Sequence, residues 1–77
     1  MSNDYKTEKQ FLDALAKRIA AIRKSKDLTQ EDVAGTLNTD RVVIANIETG
    51  KRRPTVTTIY RISSALGVSV GEVFKNL

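Results

Sequence analysis

Apolar residues recur along the chain at the spacing of amphipathic helices, and no stretch alternates convincingly with the period of two typical of a strand. The first helical pattern runs from about Glu8 to about Lys26 and gathers its apolar positions on one face. Those positions are Leu12, Leu15, Ile19 and Ile22. The pattern predicts a first helix with this face in the core and its charged side chains in solvent.

Four shorter helical patterns follow, each bounded by residues typical of helix starts or ends. Thr29, Asp40 and Thr55 precede helices 2, 3 and 4 as N-caps. Gly50 and Gly67 follow helices 3 and 4 as left-handed C-terminal residues. The apolar positions of these four helices are Val33, Ala34, Leu37, Ile44, Ile47, Ile59, Ile62, Leu66, Val70, Val73, Phe74 and Leu77. Together the patterns predict an all-α fold of five short helices.

Three local features refine this prediction. Asn38, between helices 2 and 3, tolerates a left-handed backbone and fits a tight turn. Ser69 and Glu72 match the S-x-x-E pattern of a capping box at the start of helix 5. Gly35 lies inside helix 2, where it costs about 1 kcal/mol relative to alanine, and the sequence offers no compensation.

The chain has 77 residues, enough for one small domain, which we place at residues 8–77. Residues 1–7 lack apolar periodicity and are predicted to form a flexible N-terminal arm. Cysteine and histidine are absent, which excludes disulfides, thiolate or imidazole metal sites and nucleophile–histidine catalysis. No phosphate-cradling glycine loop is present. We therefore expect no enzyme activity, metal or cofactor.

No apolar run approaches the roughly 20 residues that span a bilayer, and the polar start does not resemble a secretory signal. We expect a soluble cytoplasmic protein without a membrane partner. The formal net charge of +4 suits a polyanion such as nucleic acid, although many small basic proteins bind none.

The outer face of helix 3, over residues 41–49, carries no formal charge. With Ile44 and Ile47 in the core, that face holds small, apolar or amide side chains. They are Val42, Ala45, Asn46 and Thr49. The major groove of DNA admits a helix and offers adenine to Asn46 and a thymine methyl to Val42. Arg41, at the helix start and to one side, is placed to reach either a guanine or a phosphate. The alternative is that helix 3 is an ordinary surface helix whose uncharged face has no function, and this face alone does not exclude it.

A cationic loop of Lys51, Arg52 and Arg53 follows helix 3, and Pro54 then directs the chain into helix 4. Two short helices joined by a tight turn, with a cationic loop behind the second, are typical of a helix-turn-helix reading head. The loop then lies where the sugar-phosphate backbone passes. A solvated basic loop is the alternative interpretation.

The segment TQEDVAGTLNTDRVVIANIETGKRRP resembles the Cro/repressor-type, or XRE, helix-turn-helix family, and the resemblance extends over residues 11–74, including ALGVSVGEVF. It implies a lambda-repressor-like fold and a sequence-specific DNA-binding transcriptional regulator. It also implies that Gln30 contacts phosphate at the start of helix 2. Asn38 replaces the more usual turn glycine and Asp40 the more frequent Ser or Thr cap. We assign Asp40 a capping role and no DNA contact.

Arg23 and Glu48 flank the apolar faces of helices 1 and 3, so both are expected to be partly desolvated and to pair. In proteins that this chain resembles, such a pair links the recognition helix of the helix-turn-helix unit to helix 1. We interpret it as structural support.

Such a small head makes few base contacts, so we expect a homodimer on two half-sites about one DNA turn apart. Tyr60, Val70 and Leu77 either form the dimer surface or complete the core. The predicted protein is a phage-type repressor, a mobile-element regulator or a restriction–modification controller, with no small-molecule effector. The alternative is a protein-interaction module, such as an antitoxin or co-activator, that docks through the same helix face.

Overall fold

The computed structural model describes residues 5–77, and all regular secondary structure in this range is helical. The helices are α1 Glu8–Ser25, α2 Gln30–Leu37, α3 Arg41–Glu48, α4 Val56–Leu66 and α5 Val70–Phe74. This confirms the all-α fold of five short helices. Between residues 5 and 77, no helix has the length and apolar character needed to cross a membrane.

Threonine and serine side chains cap four of the five helices. Thr7, Thr29, Thr55 and Ser69 each accept a hydrogen bond from the backbone N–H three residues later. Thr29 and Asp32 form a complete capping box, because the Asp32 carboxylate also accepts from the Thr29 N–H at 2.8 Å. That backbone hydrogen bond holds the pKa of Asp32 below its ordinary value.

Two of the predicted caps are wrong in detail. Asp40 stands at the N-cap of α3, but its side chain accepts no capping hydrogen bond. The Val43 N–H that it would accept donates instead to the Asp40 carbonyl oxygen, at 3.0 Å. At α5, Ser69 caps the Glu72 N–H, but the Glu72 carboxylate accepts from Arg18 of α1 at 2.9 Å. The predicted box is therefore half formed, and its acid instead links α5 to α1.

The segment before α1 bears on the predicted arm. Residues 1–4 of that arm lie outside the described residues. The ring of Tyr5 meets Phe11 edge-on at 5.6 Å between ring centroids, and the Lys6 N–H donates to the Gln10 side chain at 2.8 Å. Residues 5–7 therefore contact the first turn of α1, and the flexibility of the arm stays a prediction.

The core is a single cluster of aliphatic side chains from all five helices, with α2 packed on α3 and α4, and α5 packed on α1 and α4. Its members are Leu15, Ile19, Ile22, Val33, Ala34, Leu37, Ile44, Ile47, Ile59, Ile62, Leu66 and Val73. Of the predicted apolar positions, Phe74 is exposed and Leu12, Val70 and Leu77 are half-buried. All of these except Leu12 lie in or just after α5, which has only five residues.

The turn between α2 and α3 fixes how α3 is presented. Asn38 adopts the left-handed conformation predicted for it, with φ 57° and ψ 48°. The N–H groups of Asn38 and Thr39 then donate to the carbonyl oxygens of Gly35 and Ala34, closing the end of α2. Asp27 is also left-handed, with φ 56°, a conformation that its residue type alone does not predict.

Replacing Gly35 by alanine is expected to raise the free energy of unfolding by about 0.5–1 kcal/mol. A Cβ at this exposed helical position meets no atom within 4 Å, so alanine removes backbone entropy from the unfolded chain without a clash. Thermal denaturation should show a midpoint about 2–8 °C higher. Gly67→Ala is the matched control: its site is equally open, but its φ of 74° makes alanine destabilising. An unchanged midpoint for Gly35→Ala would contradict this account.

Candidate nucleic-acid interface

The outer face of α3 is accessible along its length. Ile44 and Ile47 are buried in the core, whereas Val42 is 53% exposed and Asn46 is partly exposed. The structure ends the helix at Glu48, one residue earlier than the predicted 41–49. Thr49 is its C-cap residue, and its hydroxyl donates to the Ala45 carbonyl oxygen at 2.9 Å. The hydroxyl oxygen therefore still has lone pairs that face solvent.

Asn46 lies in the middle of this face and has two separate functions in the structure. Within residues 5–77, no group hydrogen-bonds its side-chain amide. The backbone carbonyl oxygen of Asn46 accepts from the backbone N–H groups of Lys51 and Arg52, at 2.9 and 3.0 Å. The residue therefore presents an unbonded amide while its backbone anchors the cationic loop directly behind the helix.

Arg23 and Glu48 meet in the interior, as two nitrogens of the guanidinium donate to the two carboxylate oxygens at 2.7 and 3.0 Å. Their side chains are only 10% and 4% exposed. The third guanidinium nitrogen donates to the Leu28 carbonyl oxygen at 2.8 Å. The hydrogen bonds that Arg23 donates to Glu48 raise the pKa of Arg23 above its ordinary value, in spite of burial. This pair joins α1 to the end of α3.

Gln30 extends this pair to the surface. Its amide nitrogen donates to Glu48 at 3.0 Å, and its amide oxygen accepts from Arg41 at 3.0 Å. A carboxylate only accepts and a guanidinium only donates, so the amide has a single orientation that satisfies both neighbours. Gln30, predicted to contact phosphate, and Arg41, predicted to contact a base, are therefore joined to each other and to the buried pair.

The cationic loop is exposed at all three residues, Lys51, Arg52 and Arg53. Gly50, just before it, has φ 78°, so the chain leaves α3 through the left-handed residue that the sequence predicts. A Cβ at Gly50 would lie 2.6 Å from the Asp13 carboxylate of α1. The backbone conformation therefore favours glycine here, and any other residue would also displace the Asp13 carboxylate.

Two long-range ion pairs of α1 are not predictable from the sequence pattern. Arg53 contacts Glu8 at 3.1 Å, and Arg18 contacts Glu72 at 2.9 Å. Each joins residues far apart in the sequence, and no local pattern links them. In residues 5–77 no three His, Cys, Asp or Glu side chains are grouped so that they could hold a metal ion.

The chain is similar to several known proteins. It is 42% identical over 50 residues to y4dJ of Sinorhizobium fredii, described as an uncharacterized HTH-type transcriptional regulator, and the match covers 65% of each chain. It is 34% identical over 61 residues to the control protein C.MunI of a Mycoplasma species, covering 78% of this chain and 82% of that protein. The chain thus covers just under two thirds of the first relative.

A solved structure shares the fold. The restriction–modification controller protein C.Esp1396I, in a crystal structure of its tetramer with its natural 35-base-pair operator, superposes with a TM-score of 0.72 at 31% identity. That match covers 91% of this chain and all of that one. The family model for helix-turn-helix proteins matches residues 19–73, which include α2, α3 and the cationic loop. The chain therefore belongs to the XRE-type helix-turn-helix family of transcriptional regulators.

Proposed function

We propose that the protein is a sequence-specific DNA-binding transcriptional regulator that places α3 in the major groove. The observation that carries the proposal is the unbonded Asn46 amide in the middle of an uncharged face, with the cationic loop held to the carbonyl of the same residue. A helix that reads base edges in the major groove needs hydrogen-bond donors and acceptors that form no hydrogen bond within the protein. The residues that we place against base edges are Arg41, Val42, Ala45, Asn46 and Thr49.

Lys51, Arg52 and Arg53 are proposed to contact phosphates, since they follow the helix and are exposed. Gln30 is proposed to contact a phosphate as well. Its side-chain amide nitrogen carries two hydrogens, of which one is donated to Glu48. The second is available to a phosphate oxygen without breaking the link to Arg41. These contacts fix the position of the protein on DNA and carry no sequence information.

We propose a homodimer that reads two half-sites. The related controller C.Esp1396I is a tetramer on its operator, so assembly on DNA has a precedent in the family. Of the predicted dimer residues, Tyr60 is 60% exposed, whereas Val70 and Leu77 are half-buried and Leu77 packs against the core. Val56, one turn before Tyr60, is 85% exposed. We therefore place the dimer contact near Tyr60 and Val56.

The resemblance to C.MunI favours a restriction–modification controller. The immunity repressor of Bacillus phage phi105, which is 36% identical over 59 residues covering 77% of this chain and 41% of that protein, favours a phage-type repressor. A mobile-element regulator is compatible with the same geometry. We also propose a cytoplasmic location, in contact with the DNA that the protein regulates, and no enzymatic activity.

Selection of bound sequences from random duplex DNA tests the proposal. We expect two related half-sites of opposite orientation, about one DNA turn apart, with affinity that falls steeply as salt rises. Selection without sequence preference would contradict a regulator. Failure to bind DNA at all would favour the alternative in which the face of α3 docks on another protein.

A further inference from the structure

Arg53 is the one cation of the loop that has an anionic partner within residues 5–77. Its guanidinium lies 3.1 Å from the carboxylate of Glu8, in the first turn of α1. The side chains of Arg53 and Glu8 are 68% and 65% exposed. An exposed ion pair of this geometry is weak and readily exchanges its anion for another.

A second acid also approaches the loop but is balanced elsewhere. Asp13 lies beside Gly50, and its carboxylate pairs with Lys9 at 3.0 Å. Glu8 has no such neighbouring cation on α1 among the described ion pairs. The charge of Glu8 is therefore balanced by the loop itself, and it reduces the positive charge that the loop presents to a ligand.

We propose that Glu8 competes with DNA phosphate for Arg53 and thereby lowers the affinity of the protein for all DNA sequences alike. The inference rests on the proposed function, because it requires the loop to meet phosphate. Carboxylate and phosphate oxygens accept from the same guanidinium hydrogens. When a phosphate accepts these hydrogens from Arg53, the released Glu8 carboxylate remains near the negatively charged phosphate and is repelled by it. Within residues 5–77, Glu8 forms no hydrogen bond or ion pair with a residue placed against the bases, so it sets how strongly the protein binds DNA and not which sequence it prefers.

The test is Glu8→Gln, measured by fluorescence anisotropy on a mixed-sequence duplex and on poly(dA-dT) at two salt concentrations. We expect binding to tighten about two- to five-fold on both duplexes, in line with the small free energy of an exposed pair. The gain should shrink at the higher salt, because exposed charges are screened. It should disappear in the Arg53→Ala background.

Asp27→Asn is the matched control, since Asp27 is exposed, forms no ion pair within residues 5–77 and has a backbone conformation that asparagine tolerates. A gain from Glu8→Gln that equals the control, or that persists in Arg53→Ala, would reflect net charge alone and overturn the inference. Weaker binding would overturn it too, because Glu8 would then hold Arg53 in place for DNA. If Arg53→Ala weakens DNA binding while Glu8→Gln changes nothing, the inference alone fails. If neither variant changes DNA binding, the proposed phosphate contact of Arg53 fails with it.

Discussion

Replacing Glu48 by alanine is expected to lower the free energy of unfolding by about 3 kcal/mol, because it leaves the buried Arg23 guanidinium without its carboxylate. It also removes the acceptor of Gln30. A loss of that size is a large fraction of the stability of a small domain. Thermal denaturation followed by circular dichroism should show a midpoint roughly 12–24 °C lower.

The exposed pair of α1 supplies a matched control for this loss. Lys9→Ala breaks an ion pair of similar length whose side chains are 81% and 41% exposed, and should cost under about 1 kcal/mol. In a double-mutant cycle, Arg23→Ala combined with Glu48→Ala should cost less than the sum of the single losses, by more than about 0.5 kcal/mol. Additive losses would show that the two charges do not stabilise each other.

Replacing Asn46 by alanine is expected to lower affinity for the selected operator by roughly 1–3 kcal/mol, with the loss confined to one base pair in each half-site. The amide can donate to and accept from adenine in the major groove, and alanine cannot. Stability should be almost unchanged, because no group within residues 5–77 hydrogen-bonds this amide. The measurement is binding to the operator and to every single-base variant of it.

Ser64→Ala, an exposed polar change on α4, is the control for handling and expression and should bind the operator like the original protein. Non-specific affinity should stay the same in both variants, since neither residue carries charge. If Asn46→Ala retains full discrimination between operator and scrambled DNA, α3 does not read bases through this residue. Docking of this face on a protein would then explain the uncharged surface better.

Helix positions were predictable because they depend on local chemistry. The side chains of Thr29 and Thr55 cap the starts of α2 and α4, and the backbone freedom of Gly67 ends α4. Each of these properties follows from the residue type and its neighbours in the sequence. Asp40 shows the limit of such reasoning. Whether a capping residue is used depends on how the first turn of α3 directs the Val43 N–H, and that is not encoded in residue type.

The site was predictable to the extent that helical periodicity places residues on faces. It puts Asn46 and Val42 outside and sets Arg23 and Glu48 beside the core, where two opposite charges must meet. The hydrogen-bond partners of Gln30 were not predictable in this way, because its position between Glu48 and Arg41 depends on how α2 crosses α3. The contact of Glu8 with Arg53 joins two long surface side chains through the fold, and no periodicity reports it.

The single orientation of the Gln30 amide limits what evolution or design can place at the first position of α3. Its carbonyl oxygen accepts from position 41, so a residue there keeps this hydrogen bond only if it can donate. Arginine, lysine, glutamine and asparagine satisfy this requirement, whereas aspartate or glutamate would set an acceptor against an acceptor. Cytosine is the base that an acidic side chain reads. A variant retargeted to cytosine through an acidic residue at position 41 would therefore lose its hydrogen bond to Gln30, and a second substitution that supplies a donor at position 30 would restore one.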